Sequence, residues 1–211
     1  MEYFTQKNID VNGENCFVML VESQGSDASP WRAARVCRGA GFNPEIPERD
    51  VLTQKLAALW KARHCRCFEH ARLVFGIRAP LWVVDQFRTY RCAGTSFSHR
   101  SCDPIELRDK QFPDELSEPY LAKVASLLRY QAYRNKGASR EEARRVLTQE
   151  ILTEYLPPWD LRQFFHLCNE RLHPAAHSTT RRFAEAMLEL AEPAFPCAVA
   201  AYKEARNDAR D

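Results

Sequence analysis

The sequence has no excess of charge of either sign: 30 Lys and Arg stand against 28 Asp and Glu in 211 residues, a formal net charge of +2. A phosphate polymer is held along its length by a broad positive field, and this balance supplies none, so a polynucleotide partner is disfavoured. There is no apolar run approaching the length of a membrane span, and the opening "MEYFTQKNIDVNGEN" lacks the basic and apolar sections of a secretory signal. A soluble, cytoplasmic protein without membrane contact is the expectation. No internal repeat or low-complexity segment is present. Cysteine is not scarce, with eight at 16, 37, 65, 67, 92, 102, 168 and 197. A chain this long can bury a core without covalent staples, so reduced thiols are expected. The cluster "HCRCFEH" (His64, Cys65, Cys67, His70) carries zinc-ligand types. Its C-x-C gap is tighter than usual, however, and no second pair follows at finger or ribbon spacing.

What is present is a 45% hydrophobic chain, sized for one globular domain over residues 1–211. "NCFVMLVES" reads as a strand, and "SPWRAARVC" as a helix with Ser29 at the N-cap and Pro30 at the first helical position. Asp50 is placed to cap a second helix whose apolar face is Leu52, Leu56, Leu59 and Trp60. Ala71, Leu73, Phe75 and Ile77 alternate as in a half-buried strand, and the pattern turns helical over 80–91. Residues 92–119 read as a long irregular, mobile connection. Helices are predicted over 118–135, 139–153, 159–172 and 178–191, the second opened by the capping box "SREE" at Ser139 and Glu142. The tail "KEARNDARD" reads as a solvated end.

Two arginines are suspicious in this scheme. Arg144 falls on a helical stripe with Leu147 and Ile151, and Arg171 on one with Asp160, Phe164 and Leu167. An inward charge needs a partner or a ligand to offset its desolvation. The plain reading is a structural ion pair or a snorkelling side chain. The sharper one is an anionic ligand held between these helices and "DQFRTYRCAGTSFSHR" (85–100), since the planar guanidinium fork suits phosphate and uracil-like edges.

The residues also carry a family resemblance. "RHCRCFEHARLVFGIRAPLWVVDQFRTYR" resembles G-H-x-T-P-F-E-H, an amphipathic strand, A-P, then Q-x-x-R-H-R. "GASREEARRVL" is similar to G-x-P-R-E-x-A-R-x-V-L, and "NERLHP" to R-L-x-P, in the same order along the chain. These are the motifs of the flavin-dependent thymidylate synthases. The resemblance implies an α+β fold, a central mixed or antiparallel sheet flanked by long helices. It implies FAD as cofactor, NADPH and methylenetetrahydrofolate as co-substrates, a uridine nucleotide as substrate, and a homotetramer with shared active sites. Carried over by position, Cys37, His64, Arg66, Thr89, Tyr90, Arg91, Asp160 and His166 lie beside the flavin. Gln86, Arg144 and the loop Ser96, Phe97, Ser98, His99 and Arg100 hold the nucleotide, while Arg171 stabilises negative charge at the uracil edge.

The departures narrow the match. R-H-R has become Thr89-Tyr90-Arg91, the S-x-N-E part of the loop has become "GTSF", and the segment after R-L-x-P has become "AAHST". This divergence resembles the UMP C5-methylases of polyoxin-type nucleoside antibiotic biosynthesis. Three alternatives stay open: an ordinary thymidylate synthase acting on dUMP, a nucleotide-binding paralogue without flavin chemistry, and a zinc protein built on "HCRCFEH".

Overall fold

The computed structural model describes residues 5–89, 98–99, 103–105 and 118–208. Six strands form one sheet in which every described pairing is antiparallel. Strand β1 (Gln6–Val11) and β2 (Glu14–Gln24) are joined by Asn12-Gly13, both at positive φ (55° and 80°), the two-residue turn whose twist matches the flanking strands. β2 pairs with β3 (Arg72–Pro80), whose alternating burial matches the predicted period of two. The far edge of β3 is covered by two short strands in succession, β5 (Leu152–Leu156) and β6 (Pro158–Asp160), bridged by the Phe75 N–H donating to the Pro157 carbonyl. A two-residue strand, β4 (Ser98–His99), adds to the outer side of β5.

This arrangement corrects two predicted helices. The capping box at Ser139 forms as expected: the Glu142 N–H donates to Ser139 Oγ and the Ser139 N–H to Glu142 Oε2. The helix it opens is nonetheless only Arg140–Arg144 (α5). The chain then turns and extends as β5, because Leu152, Thr153 and Tyr155 find burial against β3, and Pro157 and Pro158 have no N–H for a helical ladder. Arg144 therefore closes a short helix and does not share a helical stripe with Leu147 and Ile151. Likewise Trp159 lies in β6, and the following helix α6 begins at Leu161 and runs to Arg171.

The other helices are α1 (Ala28–Val36), α2 (Arg49–Lys61), α3 (Leu81–Arg88), α4 (Glu118–Asn135), α7 (Ser178–Ala191) and α8 (Pro196–Asp208). The N-cap of α1 is Asp27, two residues before the predicted Ser29; Ser29 Oγ instead accepts from the Ser26 N–H. Asp50 lies in the first turn of α2 and is not its cap, which is Glu48. A carboxylate there still complements the helix dipole. The predicted irregular connection falls largely outside the described residues.

The described part of "KEARNDARD" is the outer face of α8, with Glu204 and Asn207 exposed and only Ala205 buried, whereas the residues just before it are anchored. Asp27 accepts from the Cys197 and Ala198 N–H groups, capping α8 across the chain. Tyr202, 1% exposed, stacks on Phe165 with centroids 4.6 Å apart and donates to Asn169 Oδ1 at 2.9 Å. Trp60 meets Phe68, Phe165 and Tyr202 edge-on, so one aromatic cluster ties α2, α6, α8 and the 3-10 turn Cys65–His70 together. Elsewhere, Lys123 of α4 forms a buried ion pair with Glu14 at the start of β2. No helix among the described residues is long and apolar enough to cross a membrane.

Truncating Tyr202 removes a fully buried ring, so Tyr202→Ala should lower unfolding free energy by about 3–5 kcal/mol. Urea melts measure it; a change within about 0.5 kcal/mol would show that the ring does not anchor α8.

Candidate functional site

A cavity of about 600 Å³ lies between the last turn of α1 and the segment leaving α2. α2 ends in a Schellman motif: the Arg63 N–H donates to the Trp60 carbonyl (3.0 Å) and the His64 N–H to Leu59 (2.9 Å). That motif needs a left-handed residue, and Arg63 takes it at φ 58°. The chain then enters the 3-10 turn, pinned from below by Phe68, which is fully buried. The Cys67 thiol donates to the His64 carbonyl at 3.1 Å, fixing the turn internally. α1 approaches closely because Gly25 stands at the end of β2 with φ 87°, where a Cβ would meet Ser29 Oγ at 2.8 Å and the His70 carbonyl at 3.2 Å.

The cavity's wall is apolar, made by Ala33, Ala34, Leu59 and Cys67. Its polar lining is Arg38, Arg63, His64, Arg66 and His70, with Cys37 alongside and no carboxylate among the described residues. An apolar wall with convergent cations suits a ligand that is flat and apolar in one part and anionic in another. Arg38 and Arg63 carry no sequence signal beyond the basic run "KARHCRC" around one of them; only the approach of α1 brings the other in.

Three of the expected flavin-side residues, Cys37, His64 and Arg66, are thus brought together in one cavity. Asp160 and His166 do not line it. Asp160 is the N-cap of α6, its Oδ1 accepting from the Gln163 N–H at 2.8 Å, and His166 sits on the exposed face of α6. Arg162, one turn before His166, pairs with Glu69 of the 3-10 turn, so that face runs beside the cavity segment. Gln86 and Thr89 are exposed at the end of α3, where Thr89 Oγ1 donates to the Gln86 carbonyl. Ser98 and His99 lie in β4, paired with Leu156 and Tyr155. Arg144 and Arg171 are half-buried at the ends of α5 and α6. None of these nucleotide-side residues lines the cavity within one chain. Tyr90, Arg91, Ser96, Phe97 and Arg100 lie outside the described residues.

The thiols with altered acidity are all shifted toward the protonated form. Burial is the largest cause for Cys16, pushed up to about 12, for Cys67, up to about 11, and for Cys65, Cys168 and Cys197. None of these five is a ready nucleophile near neutral pH. Among the described residues no group of three His, Cys, Asp or Glu side chains is arranged to hold a metal ion.

Residues 19–197 match the profile of the family described as thymidylate synthase complementing protein. Across 208 residues the chain is 30% identical to the flavin-dependent thymidylate synthase of Thermus thermophilus, covering 89% of this chain and 76% of that protein. The chain belongs to the flavin-dependent thymidylate synthase family. It is placed thereby among enzymes of methyltransferase type. A second relative, the flavin-dependent thymidylate synthase of Treponema pallidum, is 28% identical over 218 residues, covering 91% of this chain and 70% of that one. The fold matches the crystal structure of the UMP/dUMP methylase PolB from Streptomyces cacaoi bound with 5-Br dUMP, with TM-score 0.74 at 23% identity, covering 90% of this chain and 96% of that one. The same protein bound with 5-Br UMP matches at TM-score 0.70 and 20% identity. An α+β fold with an antiparallel sheet and flanking helices is therefore what this family member has.

Two outcomes are expected. Mild alkylation near neutral pH should reach exposed Cys37 well before buried Cys16, Cys67 or Cys168, as followed by peptide mapping. Asp160 has its pKa raised, chiefly by burial and further by Glu69, against the opposing Gln163 N–H and Arg72. A carboxyl raised on folding stabilises the fold when protonated; that contribution is complete below the unfolded value and is lost as pH rises through the folded one. Asp160→Asn keeps the cap without the charge. It should melt at or above the wild type at pH 7, with the gap narrowing toward about pH 4, in thermal melts across that range.

Proposed function

We propose that this chain catalyses FAD-dependent reductive C5-methylation of a uridine monophosphate, with methylenetetrahydrofolate as carbon donor and NADPH as reductant, in nucleoside antibiotic biosynthesis. The observation that carries the proposal is the carboxylate-free cavity in which Cys37, His64 and Arg66 meet two further guanidiniums against an apolar wall. That donor set fits a dinucleotide with a planar ring and a pyrophosphate. Bound FAD would supply the hydride that turns the transferred methylene into methyl.

The residues of the chain bind, orient and stabilise charge. Arg38, Arg63 and Arg66 hold the anionic part of the cofactor, and Ala33, Ala34 and Leu59 exclude water from the planar part. Ser98, Arg100 and Arg144 hold the nucleotide phosphate, Gln86 contacts the pyrimidine, and Arg171 offsets negative charge on the uracil ring as C5 becomes nucleophilic. His166, Thr89, Tyr90 and Arg91 complete the flavin side, and Ser96, Phe97 and His99 complete the loop. In this reading each site is assembled from neighbouring subunits of a homotetramer, which is supported by Gln86, Arg144 and Arg171 not lining the cavity of their own chain. Leu121 and Leu128, exposed one heptad apart on α4, supply apolar surface for such an assembly.

Support for a uridine nucleotide comes from PolB, a UMP/dUMP methylase whose fold this chain shares. Action on dUMP alone is the second reading, favoured by the names of the T. thermophilus and T. pallidum relatives. The loop lacks the glutamate of the family pattern, which leaves room for a 2′-hydroxyl and favours acceptance of UMP.

Incubating UMP and dUMP separately with FAD, NADPH and methylenetetrahydrofolate should yield the 5-methyl product from UMP. Product from dUMP alone would establish the second reading, and no product from either would overturn both. Arg171→Ala should lower kcat by at least about a hundredfold, the range for losing a preorganised charge-stabilising donor, with circular dichroism unchanged. Full activity in that variant would remove Arg171 from the mechanism.

A further inference from the structure

The backbone at Arg63 is a poor place for an arginine. The position is the left-handed residue of a Schellman motif, φ 58°, which glycine takes without steric penalty and a branched Cα does not. The family pattern G-H-x-T-P-F-E-H has glycine at this place, and here glycine and threonine are replaced by Arg63 and Arg66. In the same chain the first arginine of R-H-R is replaced by Thr89. A guanidinium is lost from one part of the chain and two are gained at another.

The side chains these changes add both line the cavity, together with Arg38. None of the three forms an ion pair or a side-chain hydrogen bond among the described residues, and no carboxylate lines the cavity. Three like charges around one concavity repel unless an anion joins them, and a pyrophosphate offers them two negative charges and several acceptor oxygens. We infer that Arg63 is a phosphate contact for the bound flavin dinucleotide, held in a left-handed backbone conformation because that conformation aims its guanidinium into the cavity. This rests on the flavin reading above and adds a residue that the family pattern does not supply.

The test is flavin affinity in wild type and Arg63→Gly, from quenching of flavin fluorescence by FAD, FMN and riboflavin, alongside melting of the flavin-free protein. Arg63→Asn, which also tolerates the left-handed region, serves as a second variant. Glycine removes the backbone penalty, so Arg63→Gly should melt no lower than wild type. It should lose about tenfold or more in FAD affinity, as expected for a charge-assisted hydrogen bond, and little in riboflavin affinity. The FAD loss should shrink at high salt. Equal FAD affinity in both variants, or an equal loss for riboflavin, would overturn the inference. A lower melting temperature with FAD affinity unchanged would assign Arg63 to neutralising the end of α2 and would overturn it too. Should wild type itself fail to bind FAD, the flavin reading falls and takes this inference with it, so the wild-type titration separates the two failures.

Discussion

The packing of Phe68 beneath Trp60 and Phe165, with Tyr202 stacked behind, is the contact on which the site depends. The Cys65–His70 turn is short and lies between a helix end and a strand. What holds it in one place is a buried ring at its centre. With Phe68 fixed inward, His64, Arg66 and His70 are directed outward into the cavity, and the left-handed turn at Arg63 sets where that segment begins. Edge-to-face and stacked rings favour particular geometries beyond the area they bury, so this cluster specifies an arrangement as well as stabilising it.

The second constraint is the route of the termini. Asp27 leaves its own helix without a side-chain cap and instead caps α8, the last described helix, which brings Tyr202 under the cavity turn. At the front of the molecule, Gly25 lets α1 lie almost against the His70 backbone. The cavity therefore exists because two contacts far apart in sequence press α1 and α8 on opposite sides of the same segment. Its chemistry follows: a small apolar wall from α1 and α2, and cations from residues that have left the helices and can point across the gap.

How much of this was legible in the residues differs from element to element. The β3 strand announced itself because burial on one face imposes a period of two, and α4 and α7 were long enough for their bounds to be read from composition and spacing. The Ser139 capping box was read correctly, since it is a contact between residues three apart. What followed it was not. The predicted helix over 139–153 stops at Arg144, and Leu152 and Thr153 instead open β5 because the edge of β3 is vacant there, with Pro157 and Pro158 keeping the chain extended beyond them. In α8 the charged residues after position 202 were legible as solvent-facing, but the ring that anchors the helix, Tyr202, precedes them and gives no sign in the sequence of its partner Phe165. For the site, Cys37, His64 and Arg66 were reached through motif resemblance, whereas Arg63 was passed over because its significance is a backbone angle.

By itself the sequence determined the family and some local events: strand periodicity, the Ser139 capping box and the ordered motifs, all of which act between residues near in the chain or survive as patterns along it. Only the tertiary structure decided which cations share a cavity, which helix Asp27 caps, and whether 152–160 pairs or coils. The reason is physical. Helix and strand are both available to a short apolar segment at similar free energy, and the choice falls to whichever leaves fewer buried backbone groups unpaired once the neighbouring strand is in place.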